Sequence, residues 1–72
     1  ANQGDAKAQY NLGVCYTRKQ NYKTALSYYN RAILRKNDVA DFYYNLAFVY
    51  KQLNKPKNAQ KALDVYNKLL TR

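Results

Sequence analysis

Seventy-two residues fit one small domain with a thin core, because a chain this short buries only about 60% of the surface it exposes when unfolded. Thirteen Lys and Arg against four Asp and no Glu give a formal net charge of +9, which favours acidic partners: acidic peptides, nucleic acid or an anionic membrane surface. The absence of histidine, the single cysteine and the two isolated glycines exclude an internal disulfide, zinc-ligand spacing and a phosphate-cradling loop, so no enzyme activity and no cofactor is expected.

The first residues, Ala1-Asn2-Gln3-Gly4-Asp5, lack the charged and apolar regions of a signal peptide. They read as the tail of a preceding unit, and a chain that begins at Ala1 without a methionine is expected to be a processed product or a segment of a longer protein. Asp5 is placed to cap a first helix whose apolar residues Ala8, Leu12, Cys15 and Tyr16 keep three-to-four spacing until Lys19-Gln20-Asn21 breaks it. Cys15 is expected on its inward face as a small buried hydrophobe. A second helix, predicted over 22–36, carries Ala25, Leu26, Tyr29, Ala32 and Ile33 on one stripe and ends near Asn37-Asp38, which supplies the next cap. The third runs from about Val39 to Leu53 with Tyr43, Leu46, Ala47 and Tyr50 inward. Asn54 tolerates the left-handed geometry that ends a helix, and Pro56 suits the first turn of the fourth, predicted over 56–70. That helix sets Ala59, Ala62, Leu63, Tyr66, Leu69 and Leu70 opposite Lys57, Lys61, Asp64 and Lys68, a polar outer side fit to end a stack. No apolar run approaches the roughly 20 residues of a membrane span.

The chain repeats itself. Shifted by 34 residues, Ala6, Tyr10, Asn11, Leu12, Tyr16, Lys23 and Ala25 fall on Ala40, Tyr44, Asn45, Leu46, Tyr50, Lys57 and Ala59, and Gly13 falls on the similarly small Ala47. In the second half of the unit an offset of 37 lays Ala25-Leu26, Tyr29 and Asn30 on Ala62-Leu63, Tyr66 and Asn67. A last helix shifted or lengthened by about one turn is therefore expected.

Tyr10-Asn11-Leu12-Gly13, followed by Tyr16, Tyr22, Ala25, Tyr28-Tyr29 and Ala32, resembles the tetratricopeptide repeat, a 34-residue pair of helices. The resemblance covers nearly the whole chain. It implies an all-α fold, a single domain over 1–72 made of two antiparallel helix-turn-helix hairpins stacked as a short right-handed α-solenoid, with repeat 1 at about 6–39 and repeat 2 at about 40–72. Gly13, Ala25, Ala32, Ala47 and Ala59 would let the helices approach closely while Tyr16 and Tyr50 wedge against them. The pattern departs from the family at Gln9, where an aromatic is usual, at Asn37, where a proline is usual, and at Leu63 and Tyr66, which replace Tyr29 and Ala32. The opening 1–13 also resembles a Sel1-like repeat, but Thr17 to Asn21 is shorter than the hairpin loop of that class. The RNA-binding pentatricopeptide spacing is one residue longer than Tyr10 to Tyr16.

In such arrays the first helix of each pair lines a concave groove, so the resemblance implies a groove of Tyr10, Asn11, Val14, Thr17 and Arg18 on the first helix and Tyr44, Asn45, Phe48, Lys51 and Gln52 on the third. A Tyr-Asn pair set twice in register suggests a peptide or partner protein crossing both helices, with Asn11 and Asn45 holding its backbone amides. The lysine and asparagine of the chaperone-tail clamp known in some members are replaced by Tyr10 and Val14 in the first copy and by Tyr44 and Phe48 in the second. Lys23, Arg31, Arg35, Lys57, Lys61 and Lys68 fall on the convex side, where they offer a rival reading as a nucleic-acid or anionic-surface binder. Self-association is a third, since repeat hairpins expose apolar ends.

Overall fold

A computed structural model describes residues 5–72, and Ala1 to Gly4, read above as the tail of a preceding unit, lie outside the described residues. The described residues form four helices, α1 Ala6–Arg18, α2 Tyr22–Arg35, α3 Ala40–Gln52 and α4 Pro56–Thr71, with no strand. Each packs most extensively on its hairpin partner, α1 on α2 and α3 on α4, while α2 lies against α3 and joins the hairpins. The result is two stacked helical hairpins in a slab 33 × 28 × 15 Å across its principal axes. The short dimension matches two helix layers at the usual 8–10 Å separation.

The two hairpin turns are the same structure placed 34 residues apart. Asn21 donates its backbone N–H to the Tyr16 carbonyl and Gln20 to Thr17, as Lys55 does to Tyr50 and Asn54 to Lys51. This is the paired bonding of a Schellman motif, which requires a left-handed residue just after the helix. Gln20 at φ 62° and Asn54 at φ 61° supply it. Asn54 was legible as such a residue; Gln20 was not, because glutamine lacks the short side chain that eases this conformation. The helix starts differ from expectation. Asp5 sits at the N-cap of α1, but no side-chain cap bond forms at any of the four helices, and Val39 rather than Asn37 or Asp38 precedes α3.

α4 begins at Pro56, 34 residues after Tyr22, with Ala59 buried where Ala25 is buried. The helix is therefore not shifted; it is longer, 16 residues against 14, at its C-terminal end. Ala25, Tyr29, Leu46, Ala47, Val49, Ala59 and Ala62 form the main core, and Ala6, Ala32 and Phe42 a second cluster. Alanine dominates because it lets helix backbones approach while contributing no polar atom. Gly13 carries this furthest, since a Cβ there would lie 2.5 Å from the ring of Tyr29.

Two expectations about burial are corrected. Cys15 is exposed and Leu12 is 39% exposed, whereas Phe42 and Val49, not singled out from the sequence, are 5% and 0% exposed. The reason is the same for both. α3 has α2 on one flank and α4 on the other, so it buries two faces: Phe42 meets Tyr10 and clusters with Ala32 of the neighbouring hairpin, Leu46 lines a cavity against α4, and Val49 is fully buried in the main core. On α1 the equivalent face is Ala8, Leu12 and Cys15, and no helix among the described residues covers it. Tyr16, Tyr50 and Tyr66, expected inward, are half-buried.

Candidate protein-interaction site

The first helices of the hairpins, α1 and α3, carry the expected groove residues, and their surroundings differ from one position to the next. Tyr10 is half-buried at the junction of the hairpins, its ring stacked on Phe42 at 4.8 Å and tilted against Tyr29 at 5.8 Å. Its hydroxyl accepts a hydrogen bond from Asn45 Nδ2 at 2.9 Å, and the same amide nitrogen donates to the Asp41 carbonyl at 2.9 Å. Both N–H bonds of Asn45 are thus engaged, leaving only its side-chain carbonyl to receive a ligand. Asn11 is exposed. The two asparagines are therefore unequal: one ties the hairpins together and the other faces solvent.

Thr17 is drawn into the core wall. Its hydroxyl donates to the Gly13 carbonyl at 2.8 Å and lies 3.0 Å from the Tyr29 hydroxyl. Since threonine has one proton to give, Tyr29 is the donor in the second bond. Val14 is half-buried and packs against the main core. Arg18, Lys51 and Gln52 are exposed near the ends of α1 and α3. Tyr44 and Phe48 remain 56% and 44% exposed, and with Ala47, Lys51 and Leu63 they line a shallow cavity of ≈ 90 Å³. Tyr44 leans on Tyr66 at 5.3 Å, and Phe48 meets the edge of Tyr22 at 6.3 Å. The structure thus brings Tyr44, Phe48 and Lys51 together, and sets Tyr10, Val14 and Thr17 into packing.

A larger cavity of ≈ 330 Å³ opens at the N-terminal ends of α1 and α3, floored by Ala6, Tyr10, Val39 and Phe42 and rimmed by Lys7, Lys36, Asp5 and Asp41. Sequence reasoning missed it because its walls come from two helix starts and the link between hairpins. That link is held by the Tyr43 hydroxyl, which donates to the Asn37 carbonyl at 2.8 Å. Burial raises the phenol of Tyr10 above its ordinary range, helped by Asp41 and opposed by the Asn45 hydrogen bond. Burial likewise raises Tyr29, against the bond to Thr17, and raises Tyr43, where Asp38 adds to it.

On the other side, Lys23, Arg31, Arg35, Lys57, Lys61 and Lys68 are all exposed. The aromatic rings nearby are already engaged: Tyr16 and Tyr28 stack at 5.6 Å, with Lys19 over the first and Arg31 over the second. No group of three or more metal-ligating side chains occurs among the described residues. Among the described residues no helix is long and apolar enough to cross a membrane.

Residues 6–37 and 40–71 each match the tetratricopeptide repeat. The chain belongs to the tetratricopeptide-repeat family. Such repeats mediate protein–protein interaction on a non-catalytic fold, binding proteins or peptides. The chain is also similar to a NADPH oxidase activator of Dictyostelium discoideum, 33% identical over 48 residues, which is 67% of this chain. It spans only 8% of that relative's length. No solved structure gives a significant match. Within the tetratricopeptide frame the 34-residue spacing shared by the two copies accounts for the matching turns, and Leu63 and Tyr66 mark where the second hairpin departs from the first.

Proposed function

We propose that this tetratricopeptide chain acts as one two-repeat unit, 6–39 and 40–72, of a scaffold or adaptor, and that it takes an extended acidic peptide across α1 and α3. The observation that carries the reading is the exposure of Tyr44 and Phe48 beside Lys51 on the same face of α3. Two large rings left in water on a first helix offer apolar anchorage, and a neighbouring ammonium group favours a carboxylate. Asn11 and the carbonyl of Asn45 add hydrogen bonds to a peptide backbone, and Arg18 and Gln52 extend the polar contact at the helix ends. The cavity beside Tyr10, floored by apolar side chains and rimmed by two lysines and two aspartates, provides a second place for an apolar side chain. No catalytic role is assigned to any residue.

A peptide selected from a random library displayed on phage tests the reading. Phe48→Ala should weaken its binding by about 1–3 kcal/mol, the worth of one buried apolar side chain. Lys57→Glu with Lys61→Glu, on the far side, should change it by less than about 0.5 kcal/mol. Affinity that survives Phe48→Ala but disappears with the charge reversals, and that falls steeply with salt, would assign the function to nucleic acid or another polyanion.

A further inference from the structure

The two hairpins share one stacking place and fill it differently. On the first hairpin Tyr16 of α1 stacks on Tyr28 of α2, with ring centroids 5.6 Å apart and planes within 5° of parallel. Lys19 lies over the first ring at 5.6 Å and Arg31 over the second at 5.3 Å. One repeat later Tyr16 corresponds to Tyr50 of α3, and Tyr28 corresponds to Ala62 of α4. One ring of the pair is kept and the other is cut back to a methyl group.

The space left by that ring stays open. A cavity of ≈ 200 Å³ is lined by both Tyr50 and Ala62. Leu46, Val65 and the ring of Tyr43 make the rest of it apolar, and Tyr43 is fixed by its hydroxyl, which donates to the Asn37 carbonyl at 2.8 Å. A cavity of about 150 Å³ takes a benzene ring, so this one holds a single aromatic side chain. Val65 stands where Arg31 stands in the first hairpin, so the cation that covers the Tyr28 ring there has no counterpart here. Lys61 and Asn58, the counterparts of Ser27 and Thr24, instead bring an ammonium group and an amide to the cavity. Both are exposed, and among the described residues no salt bridge engages Lys61. Asp64, one turn beyond Lys61, accepts from Gln60 at 3.0 Å.

We propose that this cavity receives the aromatic side chain of a partner protein, a phenylalanine or tyrosine with a carboxylate beside it. The incoming ring stacks on Tyr50 as Tyr28 stacks on Tyr16, completing in trans the pair that the first hairpin makes in cis. The carboxylate pairs with Lys61 and accepts from the Asn58 amide. A chain with a net charge of +9 favours such an acidic partner over a basic one. The cavity shares no residue with the α1–α3 groove, so the inference is independent of the peptide reading.

The probe is the capped dipeptide acetyl-Phe-Asp-amide, titrated into the ¹⁵N-labelled chain. Amide shifts are expected at Tyr50, Asn58, Lys61 and Ala62; shifts confined to Tyr44, Phe48 and Lys51 would overturn the proposal while leaving the groove reading intact. Exchanging the phenylalanine of the probe for cyclohexylalanine, equally apolar but not flat, should weaken binding about two- to tenfold. Exchanging its aspartate for asparagine should weaken binding by up to about fivefold, and that difference should vanish in Lys61→Gln. Ala62→Tyr rebuilds the pair of the first hairpin and should abolish the shifts with circular dichroism unchanged. If that variant does not fold, Tyr50→Leu supplies the test, since it should erase the preference for phenylalanine over cyclohexylalanine. No shift at Tyr50, Asn58 and Ala62 with about 10 mM probe, ten times the concentration that half-fills a millimolar site, would overturn the proposal. So would equal affinity for the flat and the puckered ring, or undiminished binding by a folded Ala62→Tyr protein.

Discussion

Gly13 and Tyr29 form a pair whose alternative is written into the second hairpin as Ala47 and Leu63. Adding a Cβ at Gly13 would place it 2.5 and 2.6 Å from two carbons of the Tyr29 ring, where non-bonded carbons prefer about 3.5–4.0 Å. The ring would have to retreat by about 1 Å. It has nowhere to go, because Tyr29 is fully buried and its hydroxyl is tied to Thr17 at 3.0 Å. Overpacking of this kind costs about 1–3 kcal/mol, and replacing a helical glycine by alanine returns about 1 kcal/mol of propensity. Gly13→Ala should therefore destabilise by up to about 2 kcal/mol, or lower Tm by up to roughly 16 °C for a domain of this size. Tyr29→Leu alone should cost about 1–3 kcal/mol, through the space beside Gly13 and the loss of the bond to Thr17. Together the two changes recreate the Ala47–Leu63 pair, so the double variant should recover at least about 1 kcal/mol of the summed cost. Urea denaturation followed by circular dichroism at 222 nm, on all four proteins, measures the coupling. Simple additivity, or a Gly13→Ala protein more stable than the parent, would refute the packing described for α1 against α2.

Gln20→Gly should stabilise by up to about 1.5 kcal/mol, since relieving a left-handed non-glycine residue returns about 1–2 kcal/mol and glycine's extra freedom in the unfolded chain takes back about 0.5–1; a lower urea midpoint would contradict the turn. Asn45→Ala should cost about 0.5–1.5 kcal/mol through loss of the bond to Tyr10, whereas Asn11→Ala should lie within about 0.5 kcal/mol of the parent; equal costs would remove the asymmetry between the two asparagines. Because the folded chain holds the phenol protons of Tyr10, Tyr29 and Tyr43 more tightly than an unfolded chain with its ordinary value of 10.0, their contribution to stability is complete below that pH and lost as pH rises through the raised values. Urea midpoints measured from pH 8 upward should be flat with respect to these groups at first and then fall.

The hairpin architecture was legible because local signals agree: the 34-residue repeat, the three-to-four apolar spacing, Asn54 and Pro56 all point to the same turns. What escaped was anything set by a neighbouring helix. Phe42 and Val49 sit off the stripe that α3 shows to α4, and only the arrival of α2 on the other flank buries them. Cys15 and Leu12 obey the same pattern on α1 but have no such neighbour, so periodicity alone placed them inside when they are outside. Gln20 escaped because the turn imposes its conformation through hydrogen bonds rather than through residue preference. At the groove, the repetition of Tyr-Asn identified the register but could not show that one copy, Tyr10 with Asn45, is used for packing while the other, Asn11 and Tyr44, remains open.

The central claim is that binding belongs to the α1–α3 face. Backbone amide shifts of the ¹⁵N-labelled chain, followed while the library-selected peptide is added, test it most directly. The account predicts that the largest changes fall on Asn11, Val14, Arg18, Tyr44, Phe48 and Lys51, with Lys57, Lys61 and Lys68 little affected; changes concentrated on α4 and the exposed lysines of α2, with the amides of α1 and α3 unmoved, would contradict it.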